Sequence, residues 1–133
     1  MTISNFEQAN QYLQSFYENS RTEYSLDNMK LLMKYLGNPQ EKYRIIHVAG
    51  TSGKTSTTYY VSALLTAAGV KTGMTISPHV DEINERLQIN GVPLDEKTFC
   101  AAMTEFARLL KDSPVKTSWF ETMMAFAYWY FAQ

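Results

Sequence analysis

The sequence predicts an α/β fold, a P-loop-containing parallel sheet flanked by helices. Three observations predict it. Arg44-Ile45-Ile46-His47-Val48-Ala49 is a short apolar run of the kind that makes a buried strand. Gly50-Thr51-Ser52-Gly53-Lys54-Thr55-Ser56 follows it and leads into a helix-length segment, Thr57 to Ala68, closed by Gly69. Val70 to Ile76 then reads as a second strand. Two strands joined by a helix form a parallel unit with a right-handed crossover.

The glycine-rich turn is the stretch around which the other elements are arranged. Strand, glycine-rich turn, Lys-Thr and helix is the order of a phosphate-binding loop. Glycines let backbone N–H groups approach phosphate oxygens closely. The helix that follows aims its N-terminal donors and dipole at the same anion. Lys54 supplies positive charge near the outer phosphates, and a Thr55 or Ser56 hydroxyl is within reach of a Mg²⁺ ion. The general pattern has a glycine where this chain has Val48, so what remains is the compact form Gly-Thr-x-Gly-Lys-Thr-Ser. A cation is unfavourable at a helix N-terminus unless an anion sits there, which favours a functional Lys54 over a solvated one.

Composition limits the alternatives. The chain has 133 residues, enough for one domain with a core, and 45% of them are hydrophobic. Its net charge is −1 and no Lys/Arg run occurs, which argues against nucleic acid as the main partner. The single cysteine, Cys100, cannot form an internal disulfide and falls on a predicted helix as a small core residue. No charged-then-apolar leader and no apolar run of membrane-spanning length is present, so a cytoplasmic protein is expected.

The remaining elements follow from periodicity and caps. Ser4-Asn5-Phe6-Glu7 reads as a capping box, with Phe6, Ala9, Leu13 and Phe16 on the apolar face of a helix to about Tyr17. Ser25 is placed to cap a second helix with Met29, Leu32, Met33 and Leu36 inward, ended by Gly37 and Pro39. This N-terminal helical pair occupies residues 1–40. Tyr59, Tyr60, Ala63, Leu64 and Ala67 are expected to face the sheet from the helix after the loop. Glu85 to Ile89, Asn90-Gly91 and Val92-Pro93-Leu94 read as a tight hairpin, with Pro93 restricting its arm to an edge. Asp95 can cap a helix to about Leu110, with Phe99, Met103, Phe106 and Leu110 inward. Ser118-Trp119-Phe120-Glu121 is a further capping box, opening a helix to Ala132 that is apolar on nearly every side.

Several polar residues have two readings. Ser77, at the carboxyl end of the second predicted strand, is either a metal-facing hydroxyl or a turn residue before Pro78. His79 reads as a hydrogen-bonded loop histidine, and His47 as a satisfied histidine inside a buried strand. Glu121 is either the acidic member of its capping box or a ligand to Mg²⁺, a cation that prefers oxygen donors.

Taken together in order, these residues resemble a known family. His47-Val48-Ala49-Gly50-Thr51-Ser52-Gly53-Lys54, Ser77-Pro78-His79, Asn84-Glu85-Arg86 and Ile89-Asn90-Gly91 are similar to folylpolyglutamate synthase and dihydrofolate synthase, of the Mur ligase superfamily. Trp119-Phe120-Glu121 before an apolar helix, and Leu36-Gly37-Asn38-Pro39 before the first strand, fit the same pattern. The likeness runs through nearly the whole chain. It implies an ATP-dependent ligase that joins L-glutamate to the carboxylate of a folate, or of dihydropteroate, through an acyl phosphate. It implies that Thr51, Ser52, Gly53, Lys54, Thr55 and Ser56 hold the ATP phosphates, with Lys54 also catalytic. It places Ser77 and Glu121 on the family's Mg²⁺ ligands, and Thr22, Glu23 and Tyr24 on the connector that contacts the pterin.

The chain departs from the family at three points. Ser52 stands where asparagine is usual, and Lys54-Thr55-Ser56 is closer to the muramyl peptide ligases than to Lys-Gly-Ser. The connector before Ser25 lacks the usual glycine-rich signature. Family members are much longer, and a later histidine ligand, a modified lysine and a C-terminal glutamate-ligase domain have no counterpart here. The expectation is therefore the N-terminal part, residues 1–133, of a Mur-ligase-like ATP-binding domain, incomplete and inactive alone. Its last helix is expected to expose apolar surface and drive self-association. A muramyl-type ligase and a non-catalytic nucleotide-binding module are the competing readings.

Overall fold

A computed structural model describes residues 1–17 and 25–133, and Thr22, Glu23 and Tyr24 lie outside the described residues. The described chain is mostly helical, with one small antiparallel sheet. It divides into two compact units. Residues 1–44 and 97–133 form the first, and residues 45–96 the second.

The first unit is built from α1 (Phe6–Gln14), α2 (Asp27–Tyr35), α4 (Glu96–Leu110, all but its first residue) and α5 (Trp119–Phe131), and α3 (Lys54–Ala67) belongs to the second unit. The cap of α1 is Asn5 rather than Ser4, because the Asn5 side chain accepts from the Gln8 N–H at 2.9 Å. Ser4 instead donates through its backbone N–H and its hydroxyl to the Gln8 side-chain oxygen, both at 2.8 Å. The helix ends at Gln14, three residues short of the predicted end. Helix α2 has Leu26 at its cap position, and the Ser25 hydroxyl accepts from the Asp27 N–H at 3.1 Å. Beyond α2, Gly37 and Asn38 both adopt left-handed backbone and Pro39 opens a single 3₁₀ turn, Pro39–Glu41.

Helix α5 is the centre of this unit. Phe126 is fully buried and its ring meets those of Phe99, Phe106, Trp129 and Tyr130 at centroid distances of 5.4, 5.3, 6.2 and 6.3 Å. Such aromatic clusters supply large buried area and a preference for edge and tilted contacts. The expected exposed apolar face of α5 is therefore absent. Thr122, Met123, Ala125, Ala127 and Trp129 are buried, and Phe120 is the exposed large apolar residue. A helix apolar all round needs neighbours all round, and α1, α2, α4 and the Pro39 turn supply them. Cys100 is buried in the same core. Thr104 ties the N-terminal segment to α4, its hydroxyl accepting from the Ile3 N–H at 2.9 Å.

The second unit contains α3 (Lys54–Ala67) and three two-residue strands: β1 (Gly73–Met74), β2 (Gln88–Ile89) and β3 (Val92–Pro93). The strands form an antiparallel sheet in the order β1-β2-β3, with Gly73 opposite Ile89 and Ile89 opposite Val92. The Asn90-Gly91 turn is as predicted, with φ of 52° and 78°, and Pro93 lies in the edge strand. Glu85 and Arg86 belong to a 3₁₀ turn, Ile83–Arg86, rather than to the hairpin arm.

The predicted parallel sheet does not form. Residues 44–49 are not a strand, and Ile46 is 62% exposed. A strand needs a ladder partner for its backbone groups. The groups of β1 pair with β2, and residues 44–49 have no ladder partner among the described residues. The predicted inner face of α3 fails for the same reason. Tyr60 and Leu64 are 73% and 71% exposed, whereas Ser62 is buried. His47 is exposed as well, not enclosed in a strand.

Candidate functional site

Gly53 sets the geometry of the loop. Its φ of 74° lies in the left-handed region, where a side chain is strained, and it turns the chain into α3. No side chain caps α3 and its first turn carries no acidic residue. The first amides of a helix have no intrahelical acceptor, so this end is left to solvent or to an anion. Thr51, Ser52, Gly53, Lys54, Thr55 and Ser56 are all exposed.

Lys54 folds back over the loop. Its ammonium donates to the Gly50 carbonyl at 2.6 Å and to the Thr51 carbonyl at 3.3 Å. The positive charge is thus held directly above the turn, by two carbonyls that a stronger anionic acceptor can outcompete. The Thr55 and Ser56 hydroxyls lie on the exposed first turn beside it. Thr58, one turn on, donates its hydroxyl to the Lys54 carbonyl at 2.8 Å and only supports the helix.

Ser77 follows β1 and is exposed, as the metal-facing reading requires. Its placement does not derive from the carboxyl edge of a parallel sheet, because that sheet is absent. His79, two residues on, accepts at Nδ1 from the Arg86 Nε–H at 2.7 Å. Partial burial, and then the Arg86 charge, hold its imidazole below the usual histidine range, with Glu85 acting in the opposite sense. The Glu85 carboxylate accepts from the N–H groups of Val80, Asp81 and Glu82 at 2.8, 2.7 and 3.0 Å. These backbone donors hold it below the usual carboxylate range. In the sequence, Asn84-Glu85-Arg86 is no more than a recognition pattern. The available signal was an acid and a base adjacent in a turn, within reach of a histidine.

Glu121 keeps both of its readings open in the geometry. The Ser118 hydroxyl accepts from the Glu121 N–H at 3.3 Å, and the Ser118 N–H and hydroxyl donate to Glu121 Oε2 at 2.8 and 2.9 Å. The cap therefore uses one carboxylate oxygen. Oε1 makes no hydrogen bond with the described residues. Thr117 and Thr122 share a buried hydroxyl contact of 2.8 Å beneath this turn, and Asn28 donates to the Lys116 carbonyl at 2.7 Å. Both fix the segment from which Ser118 and Glu121 project. No group of three or more His, Cys, Asp or Glu is arranged for a metal among the described residues. A carboxylate oxygen left outside the cap is the kind of donor that Mg²⁺ prefers.

A cleft of about 400 Å³ lies in the first unit, lined by Tyr12, Phe16, Arg108 and Lys111 among others. None of the site residues expected from sequence lines it. Among the described residues, no helix is long and apolar enough to cross a membrane.

Comparison with known proteins gives a consistent result. No protein-family model matches the chain. It is 37% identical over 112 residues to the dihydrofolate synthase/folylpolyglutamate synthase of Bacillus subtilis, a match covering 81% of this chain and 26% of that protein. The solved structure of Mycobacterium tuberculosis folylpolyglutamate synthase complexed with ADP superposes with a TM-score of 0.83 at 35% identity, covering 96% of this chain and 29% of that one. E. coli FolC in complex with DHPP and ADP gives a TM-score of 0.83 at 28% identity, covering 98% and 31%. The chain thus spans between a quarter and a third of the length of these relatives.

Proposed function

We propose that this chain, which is homologous over most of its length to the folylpolyglutamate synthase and dihydrofolate synthase family, carries the nucleotide-phosphate end of an ATP-dependent ligase. It would form part of the ATP-binding domain of such an enzyme, with ATP and Mg²⁺ as cofactors. The reaction joins L-glutamate to a folate or dihydropteroate carboxylate. The acceptor carboxylate attacks the γ-phosphorus of ATP, ADP leaves, and the glutamate amine then displaces phosphate from the acyl phosphate. The observation that carries this reading is the Gly50–Ser56 loop. It ends at a left-handed Gly53, leads into an uncapped helix, and holds the Lys54 ammonium over its carbonyls.

In this reading the first-turn amides of α3 and the N–H groups of Thr51, Ser52 and Gly53 bind the ATP phosphates. Lys54 leaves the Gly50 carbonyl for the outer phosphate oxygens, and its charge offsets that of the moving phosphoryl group. Thr55 and Ser56 add hydroxyl contacts. Ser77 and Glu121 are each read as a residue that would offer an oxygen to Mg²⁺, and Ser118 fixes the Glu121 carboxylate. Mg²⁺ supplies charge neutralisation between the phosphates when bound. Thr22, Glu23 and Tyr24 remain the proposed contact to the pterin. Activity is expected of a protein with the length of the relatives, not of these 133 residues alone.

The test is an assay of glutamate incorporation by a full-length enzyme carrying this segment in place of its own. Tetrahydrofolate, dihydropteroate and a uridine-linked muramyl acceptor are offered separately with ATP. Turnover with either folate-type acceptor is expected. Turnover only with the muramyl acceptor, or none with an enzyme that still binds ATP, rejects the substrate class.

A further inference from the structure

Three consecutive side chains tie down the turn that follows β1. Asn84 Nδ2 donates to the Leu94 carbonyl at 2.8 Å and so anchors the Ile83–Arg86 segment to the residue after β3. Glu85 gathers the N–H groups of Val80, Asp81 and Glu82 on its two carboxylate oxygens. Successive backbone donors converging on one point form an anion-binding nest, and here the chain fills it with its own carboxylate. The Glu82 side chain in turn accepts the Glu85 N–H, which closes a capping box. Arg86, only 6% exposed, donates its Nε–H to His79 Nδ1 at 2.7 Å.

The Arg86 contact decides the state of the imidazole. A guanidinium has donors and no acceptor. Nδ1 of His79 must therefore accept, and in a neutral ring the proton stands on Nε2. A ring in that state has no lone pair left for a cation, so His79 serves as a donor and not as a metal ligand.

We propose that Asn84-Glu85-Arg86 is a positioning unit for the Ser77-Pro78-His79 turn, and that it presents the His79 Nε2–H as a fixed donor beside the Ser77 hydroxyl. The three residues act through the turn and touch no reacting atom. The proposal rests on the reading of Ser77 as a contact to the Mg²⁺–nucleotide.

The test uses the 133-residue chain and four variants: S77A, E85A, R86K and R86M. Long-range ¹H–¹⁵N correlation at fixed alkaline pH reads the His79 tautomer, amide exchange reads residues 80–82, and calorimetry reads MgATP affinity. The wild type is expected to show the Nε2–H tautomer and R86M a mixture. R86K, which keeps a cationic donor, is expected to fall between them. In E85A the amides of Val80, Asp81 and Glu82 should exchange about tenfold faster or more, as expected for loss of a charged acceptor, with α4 unchanged. Both E85A and R86M should weaken MgATP binding several-fold. E85A keeps the proposal falsifiable if R86M fails to fold, because Glu85 lies at the surface of its turn. An unchanged tautomer in R86M, unchanged exchange in E85A, or full MgATP affinity in E85A while S77A loses it, would overturn the proposal. Unchanged Mg²⁺ dependence in S77A instead removes Ser77 from the proposed function, and the tautomer and exchange readouts then decide the clamp by themselves.

Discussion

Replacing Lys54 with alanine separates the two roles its ammonium can play. In the structure it donates to the Gly50 and Thr51 carbonyls at an exposed position. Removing those bonds alone should lower stability by no more than about 1 to 2 kcal/mol, as expected for a charged donor discounted for exposure. Nucleotide binding is another matter. An ammonium about 4 Å from a unit of phosphate charge, at an effective dielectric near 20, is worth roughly 4 kcal/mol. Breaking the carbonyl contacts to reach it costs about 1 to 2 kcal/mol, as expected for a charged donor discounted for exposure. The difference, about 2 to 3 kcal/mol, weakens MgATP binding roughly 30- to 150-fold. Titration calorimetry of the wild-type and Lys54→Ala chains measures this directly, with thermal melts of both as the control. Unchanged affinity would refute the assignment. So would an equal loss of affinity and fold, because the effect would then be structural.

Three further predictions address the other elements. Glu121→Gln keeps an oxygen that can accept from Ser118, so denaturation should show a loss below about 1 kcal/mol. The Mg²⁺ concentration needed for nucleotide binding should nevertheless rise, and an unaltered Mg²⁺ titration would leave Glu121 as a cap alone. Phe126→Ala should cost about 3 to 5 kcal/mol in urea denaturation, the range for a large buried aromatic, and a cost below about 1 kcal/mol would contradict the aromatic core. Tyr12, by burial, and Tyr43, by burial and then the nearby Tyr128, are pushed up to about 12. An unfolded tyrosine ionises near 10. Their contribution is therefore complete below about pH 10 and is lost between about pH 10 and 12. Ultraviolet titration should find Tyr12 and Tyr43 ionising late, and ionisation of both near pH 10 would contradict the effect of their burial.

Local chemistry made much of the fold legible. The Ser118–Glu121 box, the Asn90-Gly91 turn and the inward Phe99, Met103 and Phe106 depend on neighbours a few residues away or on a 3.6-residue period. The parallel sheet depended on pairing between distant segments, which a single apolar run such as residues 44–49 does not encode. The same limit applies to the inner face of α3, because its side chains alternate with no strong amphipathic contrast. Ser4 lost the cap of α1 to Asn5, whose side chain accepts from the Gln8 N–H. In the candidate site, the loop could be read because glycine, lysine and helix stand in fixed order. The roles of Glu85 and Arg86 could not, since they arise from a turn folding back on itself.

The uneven distribution of buried aromatic side chains between the two units has a consequence for how the molecule comes apart. The first unit holds Phe99, Phe106, Phe126 and Trp129 in one cluster, whereas each strand of the second is two residues long. Short ladders with exposed flanks open at lower free energy than aromatic cores. Residues 45–53 should therefore be the first sites cut by a dilute protease, while α5 survives. A nucleotide seated on the Gly50–Ser56 loop stabilises the state that binds it by RT ln(1 + [L]/Kd), about 2.7 kcal/mol at a hundredfold excess over Kd. Its protection should fall selectively on those early cuts, so that a digestion pattern reports where the ligand sits without any measurement of turnover.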